Sequence, residues 1–162
     1  MSRLTFPAAT LVVAAALTGC STTKPPPDSA TVPPPPQKSA ATSSTDVGVD
    51  AFHKICLATA PSFADAPEAA KKYGVSGLTA GVNSTGMTKD SSLSVQLKPG
   101  IECAVTTTSR PGDAVAKQFM SVVTAATGTK AEQTPFAAKL GANAFIFHHD
   151  RNGGEAFVMV KR

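Results

Sequence analysis

The 162 residues carry 15 Lys and Arg against 11 Asp and Glu, a formal net charge of +4, with 42% hydrophobic residues, eight Phe, one Tyr and no Trp. That balance suits one domain with a modest, largely aliphatic core. The basic residues are dispersed, the only adjacent pairs being Lys71-Lys72 and Lys161-Arg162, whereas nucleic-acid binders concentrate them on one face. No nucleic-acid partner is expected, and the charge reads as a solubility device with at most a mild attraction for anionic lipid or cell-wall polymers.

Met1 to Cys20 reads as an export signal: Arg3 supplies a positive start, Leu11 to Leu17 an apolar run, and small residues precede Cys20. The apolar stretch from Thr10 to Leu17 is too short to span a bilayer, which needs about 20 apolar residues. A signal-anchor helix is therefore the weaker reading. Leu17-Thr18-Gly19-Cys20 resembles the lipobox of bacterial lipoproteins, in which a Leu, a variable small residue and a Gly or Ala precede the Cys. The resemblance implies cleavage before Cys20, diacylation of its thiol (a palmitate-type modification) and acylation of the new amino group; ordinary cleavage that leaves Cys20 unmodified is the alternative. Ser21 stands where the family often places Asp to retain a lipoprotein at the inner membrane, which implies the cell outer membrane, with the domain facing the periplasm. One acyl chain binds a membrane marginally, whereas two or three hold it firmly, so membrane lipid is the first expected partner, through Cys20.

From residue 20 to 45 the chain holds Pro25-Pro26-Pro27 and Pro33-Pro34-Pro35-Pro36 among Ser, Thr, Ala and Lys. Consecutive prolines fix φ, remove donors and favour polyproline II. The stretch reads as a disordered tether that reaches roughly 75 Å when fully extended, and it separates the leader (1–19) from a domain over 46–162. Cys20 being taken by lipid, Cys56 and Cys103 remain as an even pair in an oxidising compartment. A disulfide between them is expected, with two separate buried thiols as the alternative. There is no CxxC and no nucleophile motif around either.

Within the domain, Val49, Phe52, Cys56, Thr59 and Phe63 recur at helical spacing, which predicts a helix over 47–60 ended by Pro61, with Cys56 facing the core. A second helix is predicted over 66–73, with Asp65 as its cap, Pro67 in its first turn and Gly74 at its exit. The Gly-, Ser- and Thr-rich stretch 74–91 reads as a long loop with a short strand at 78–82, either an adaptable contact surface or a plain surface loop. Leu93, Val95 and Leu97, then Ile101, Cys103 and Val105, alternate with polar residues around Pro99-Gly100, which predicts a hairpin with Ile101, Cys103 and Val105 on one face. Ser109-Arg110-Pro111 opens a third helix with a stripe of Val115, Phe119, Val122 and Ala126, widened by Met120 and Val123 and ended by Gly128. Residues 134–140 are a short strand or a turn. Residues 144–149 and 155–161 form a second hairpin, its first strand apolar on both faces at Phe145, Ile146 and Phe147. The fold class that follows is α+β: helices packed on one face of a roughly four-stranded antiparallel sheet, with one disulfide. With Cys56 in its first helix and Cys103 in a strand before a helix, the domain is also similar to small exported bacterial proteins of unknown function, a resemblance that brings no activity with it.

No constellation points to catalysis. In His148-His149-Asp150 neighbouring strand residues face opposite sides, so the two imidazoles do not converge on one metal, and they read as surface or strand-end residues. His53 joins one of them only if the fold brings it there, and no metal or cofactor is expected. Neither GxSxG nor SxxK occurs, no carboxylate pair has motif support, and Gly153-Gly154 lacks the lysine and the strand-to-helix setting of a phosphate loop. The residues singled out are Cys20 as lipid anchor and Cys56 with Cys103 as staple; no catalytic residue is named. The reading is a membrane-anchored envelope lipoprotein, a non-catalytic accessory module with an envelope protein partner. A cell-wall-acting enzyme or peptidoglycan-binding module is the alternative, and a host-facing surface antigen the third possibility.

Overall fold

The computed structural model describes residues 45–108 and 112–162. The leader, the lipobox with Cys20, the proline tether and the expected helix start at Ser109-Arg110-Pro111 lie outside the described residues.

Asp46 starts the domain because its carboxylate satisfies the free amides of a helix end. Its Oδ1 accepts from the Gly48 and Val49 amides at 2.8 and 3.4 Å, and helix α1 runs Val47–Phe52. The helix does not continue as an α-helix to residue 60. It widens into a π-helical turn, His53–Leu57, and reaches Pro61 through turns. The wider turn lets Ile55, Cys56 and Leu57, three successive residues, all lie in the core. Helix α2 spans Ala66–Lys71 with Pro67 in its first turn, two residues shorter than expected. Asp65 sits at its N-cap without a side-chain capping bond, and Gly74 leaves it with φ 76°.

The sheet has six strands, not four, and all neighbours are antiparallel: β1 Ser84–Met87, β2 Leu93–Lys98, β3 Glu102–Thr107, β4 Phe136–Leu140, β5 Asn143–Asp150 and β6 Glu155–Lys161, in the order β1-β2-β3-β6-β5-β4. The two expected hairpins are its centre. The two additional strands are its edges. β1 lies at 84–87 rather than 78–82, and its Ser-Thr-Gly-Met sequence has no apolar alternation to reveal it. Its buried residue is Gly86, over which the Ser76 carbonyl passes so closely that a Cβ would come within 2.5 Å of it. The turn from β1 to β2 is likewise ordered: the Asp90 carboxylate accepts from the Thr88 hydroxyl at 2.6 Å and from the Ser92 hydroxyl and amide at 2.8 and 3.1 Å. These donors hold the Asp90 carboxyl at about 2.

Helix α3, Ala114–Thr127, lies over the same face as α1 and the π turn, and Gly128 in the left-handed region ends it as expected. Its buried stripe is Val115, Phe119 and Val123; Val122 is only half-buried and Ala126 is exposed. Ile101 is also exposed, because it belongs to the β2–β3 turn and not to the strand. The core lies between the helices and the inner sheet face, which presents Leu93, Val95 and Leu97, then Cys103 and Val105, Phe157 and Met159, and Phe145 and Phe147. Phe52, Phe119 and Phe157 meet at its centre with ring centroids 5.2 to 6.3 Å apart. α1 comes close to that ring system because residue 48 is glycine; a Cβ there would stand 2.7 Å from Phe157 Cε2.

Candidate functional site

Cys56, on the π turn, and Cys103, on β3, form a disulfide with Cα atoms 5.5 Å apart. The bridge ties the helical layer to the sheet across the core, and both residues are fully buried.

A second polar feature follows from strand parity. His149 lies on the β5 face that carries Phe145 and Phe147, and Glu155 on the β6 face that carries Phe157 and Met159. Both side chains therefore point into the core rather than to the surface, with 4% and 0% exposure. They satisfy each other: Glu155 Oε2 meets His149 Nε2 at 2.5 Å. The other carboxylate oxygen accepts from Arg151 Nε at 3.2 Å, and Arg151 Nη1 donates to Asp113 Oδ1 at 2.6 Å. These partners raise the Arg151 pKa further, the Asp113 hydrogen bond being the largest cause. A chain of ionisable groups thus runs from the core to the N-terminus of α3. The imidazole stacks on Phe157 at 5.0 Å and 6° and packs against Phe119 at 5.7 Å. Beside the pair, the Thr107 hydroxyl is buried with no hydrogen-bond partner among the described residues. A carboxylate–imidazole pair serves as general acid or base only where a reacting group can reach it. This one is walled by aromatic rings and works as a polar tie within the core.

His148, by contrast, is half-buried on the outer face, so the two neighbouring imidazoles point apart as expected. Among the described residues no group of three or more His, Cys, Asp or Glu is placed to hold a metal ion, and no helix is long and apolar enough to cross a membrane.

The surface offers three features. The outer sheet face is uncovered by the helices and has an apolar centre of Ala104, Val158, Val160 and Ile146 in adjacent registers, flanked by the Lys98–Glu102 ion pair and His148. A cleft of about 590 Å³ between the π turn and α2 is lined by Lys54, Ala58, Ala69, Lys72 and Tyr73. The Tyr73 hydroxyl donates to Asp50 Oδ2 at 2.6 Å, and burial together with that carboxylate raises the phenol well above its ordinary pKa of 10.0. A groove follows β4, in two parts of about 480 and 350 Å³ that share Thr129 and Ala137.

Comparison of the chain with protein-family models, with characterised proteins and with solved structures finds no match.

Proposed function

We propose that the chain is a lipoprotein of the cell envelope, held at the outer membrane by acylated Cys20, whose domain faces the periplasm and acts as a non-catalytic interaction module of an envelope assembly. The observation that carries the reading is Leu17-Thr18-Gly19-Cys20 at the junction between an apolar leader and a proline-rich stretch. Three features of the domain support it. The Cys56–Cys103 disulfide fits an oxidising compartment. Among the described residues the one carboxylate–imidazole pair is enclosed in the core, stacked on Phe157. The outer sheet face and the β4 groove give a partner somewhere to dock. Anchorage through Cys20 and the proline-rich segment then raises the local concentration of that domain near other membrane-bound proteins without any new contact.

The alternative, a peptidoglycan-binding module, draws on the Lys54–Lys72 cleft, since cell-wall peptides carry carboxylates that lysines attract. In-cell crosslinking of the tagged protein, with mass spectrometry of what it holds, separates the two. A Cys20→Ala form serves as control, and incorporation of an acyl label into the native chain alone checks the anchor. Recovery of a defined envelope protein only with the anchored form supports the interaction module. Recovery of peptidoglycan fragments without a protein partner overturns it.

A further inference from the structure

The two edges of the sheet end differently. At β1, Ser76 and Met87 exchange backbone hydrogen bonds at 3.1 and 3.0 Å, so the segment before the strand pairs with its last residue. At β4, among the described residues, no backbone hydrogen bond from outside β5 reaches Phe136–Leu140. An open edge presents a row of amide and carbonyl groups on which another strand can form.

The ground beside β4 is shaped for such a strand. Ala137 and Ala138 leave only methyl groups where longer side chains would fill the space, and a groove forms between β4 and the segment from Thr129 to Gln133, continuing past Lys139 toward Arg162. Lys130, Lys139 and Arg162 line it against one carboxylate, Glu132, and among the described residues none of these four is in an ion pair. The groove is therefore basic. Lys139 in the middle of the edge opposes pairing with the same strand of a second copy, where like charges would meet, and favours a strand of opposite charge.

We propose that β4 is a docking edge, and that an extended acidic segment of a partner protein adds to it as a seventh strand. Main-chain hydrogen bonds hold the segment in place, and its carboxylates meet Lys130, Lys139 and Arg162. The inference deepens the interaction-module reading and rests on it for the existence of a partner.

The probe is a fluorescent peptide that alternates Glu with Val, compared with its Lys-for-Glu counterpart and with a version N-methylated at every second amide. Binding to the full-length protein is read by anisotropy and its place by amide hydrogen exchange. The expected result is binding of the Glu peptide with new protection confined to Phe136–Leu140, about tenfold or more weaker binding of the Lys peptide, and loss of binding on N-methylation. Lys139→Glu, an exposed change outside the core, removes the preference for the Glu peptide over the Lys peptide, because Lys130 and Arg162 are then balanced by Glu132 and the new carboxylate. Absence of binding, equal binding of both charge forms, tolerance of N-methylation, or protection at β1 or on the outer face each overturns the proposal. Such a failure leaves the interaction module standing if crosslinking still recovers an envelope protein through another surface. Crosslinking that recovers no protein overturns the functional reading even where the peptide binds.

Discussion

Glu155 has no exposed surface, although a carboxyl group is costly to bury in a core of phenylalanines unless it is partnered. Taking a carboxylate out of water costs several kcal/mol, and the return from one imidazole and one guanidinium is of similar size. The net contribution of the assembled group is therefore small, whereas breaking it is expensive. Glu155→Ala should lower the unfolding free energy by about 3 kcal/mol or more, because it leaves His149 Nε2 without its carboxylate and opens a cavity beside Phe157. Replacing both partners together, His149→Phe with Glu155→Leu, should recover most of that loss, since Arg151 keeps Asp113 and 43% of its side chain is exposed. Urea unfolding of His149→Phe, Glu155→Leu and the double variant measures the coupling. A Glu155→Ala protein as stable as the native one would show that the pair does not tie the core. The pair was legible in the sequence by parity alone: Glu155 is two residues before Phe157, and His149 two after Phe147. The expectation that His148 and His149 are both surface or strand-end residues fails for His149, which shares its parity with Phe145 and Phe147 and so turns inward.

Elements became visible in the sequence to the degree that their residues alternate or recur. The hairpins around Pro99-Gly100 and residues 151–154, and the end of α3 at Gly128, follow from apolar spacing and turn residues and stand where they are expected. The edges are fainter, because an edge strand needs little burial. β1 contributes only a glycine to the interior and carries no hydrophobic signature. β4 lies within residues 134–140, which read as a short strand or a turn, its inward Phe136, Ala138 and Leu140 giving a weak alternation. The π turn escaped for a different reason, since a helix that widens keeps an apolar stripe and changes only which residues share it. The approach of α1 to the sheet was equally hidden and depends on one atom. Ala is ordinarily better than Gly in a helix by about 1 kcal/mol, so Gly48→Ala ought to stabilise α1 considered alone. Here the added methyl stands 2.7 Å from the Phe157 ring and 2.8 Å from Thr107 Cγ2, and Phe157 is fully buried with no room to withdraw. Overpacking decides the sign: Gly48→Ala should destabilise by about 1 to 3 kcal/mol, read as a lower urea midpoint. A raised midpoint would mean that α1 can move off the sheet at little cost.

At the scale of the whole molecule, one covalent bond joins the question of stability to the question of address. Cys56 and Cys103 are 47 positions apart in sequence, and the loop they close spans β1, β2 and the whole of α2, so the bridge constrains a large part of the unfolded domain. Loop closure of that size is worth about 4 kcal/mol in the chain-entropy account, set against total stabilities of roughly 5 to 15 kcal/mol for domains of this kind. A chain that loses the bridge keeps its phenylalanine core but has a far smaller margin. The Cys56→Ala, Cys103→Ala double variant should therefore unfold with about 4 kcal/mol less free energy. It should also show a larger dependence on urea, because its denatured state exposes more surface without the cross-link. Reduced native protein should behave like the variant, and the difference between oxidised and reduced forms measures how much of the fold depends on the redox state of its compartment. A domain that needs this bond is at its most stable in an oxidising compartment, which the proposed export before Cys20 would supply. A reduced form as stable as the oxidised one would remove that dependence, and the case for an envelope location would then rest on Leu17-Thr18-Gly19-Cys20 without help from the fold.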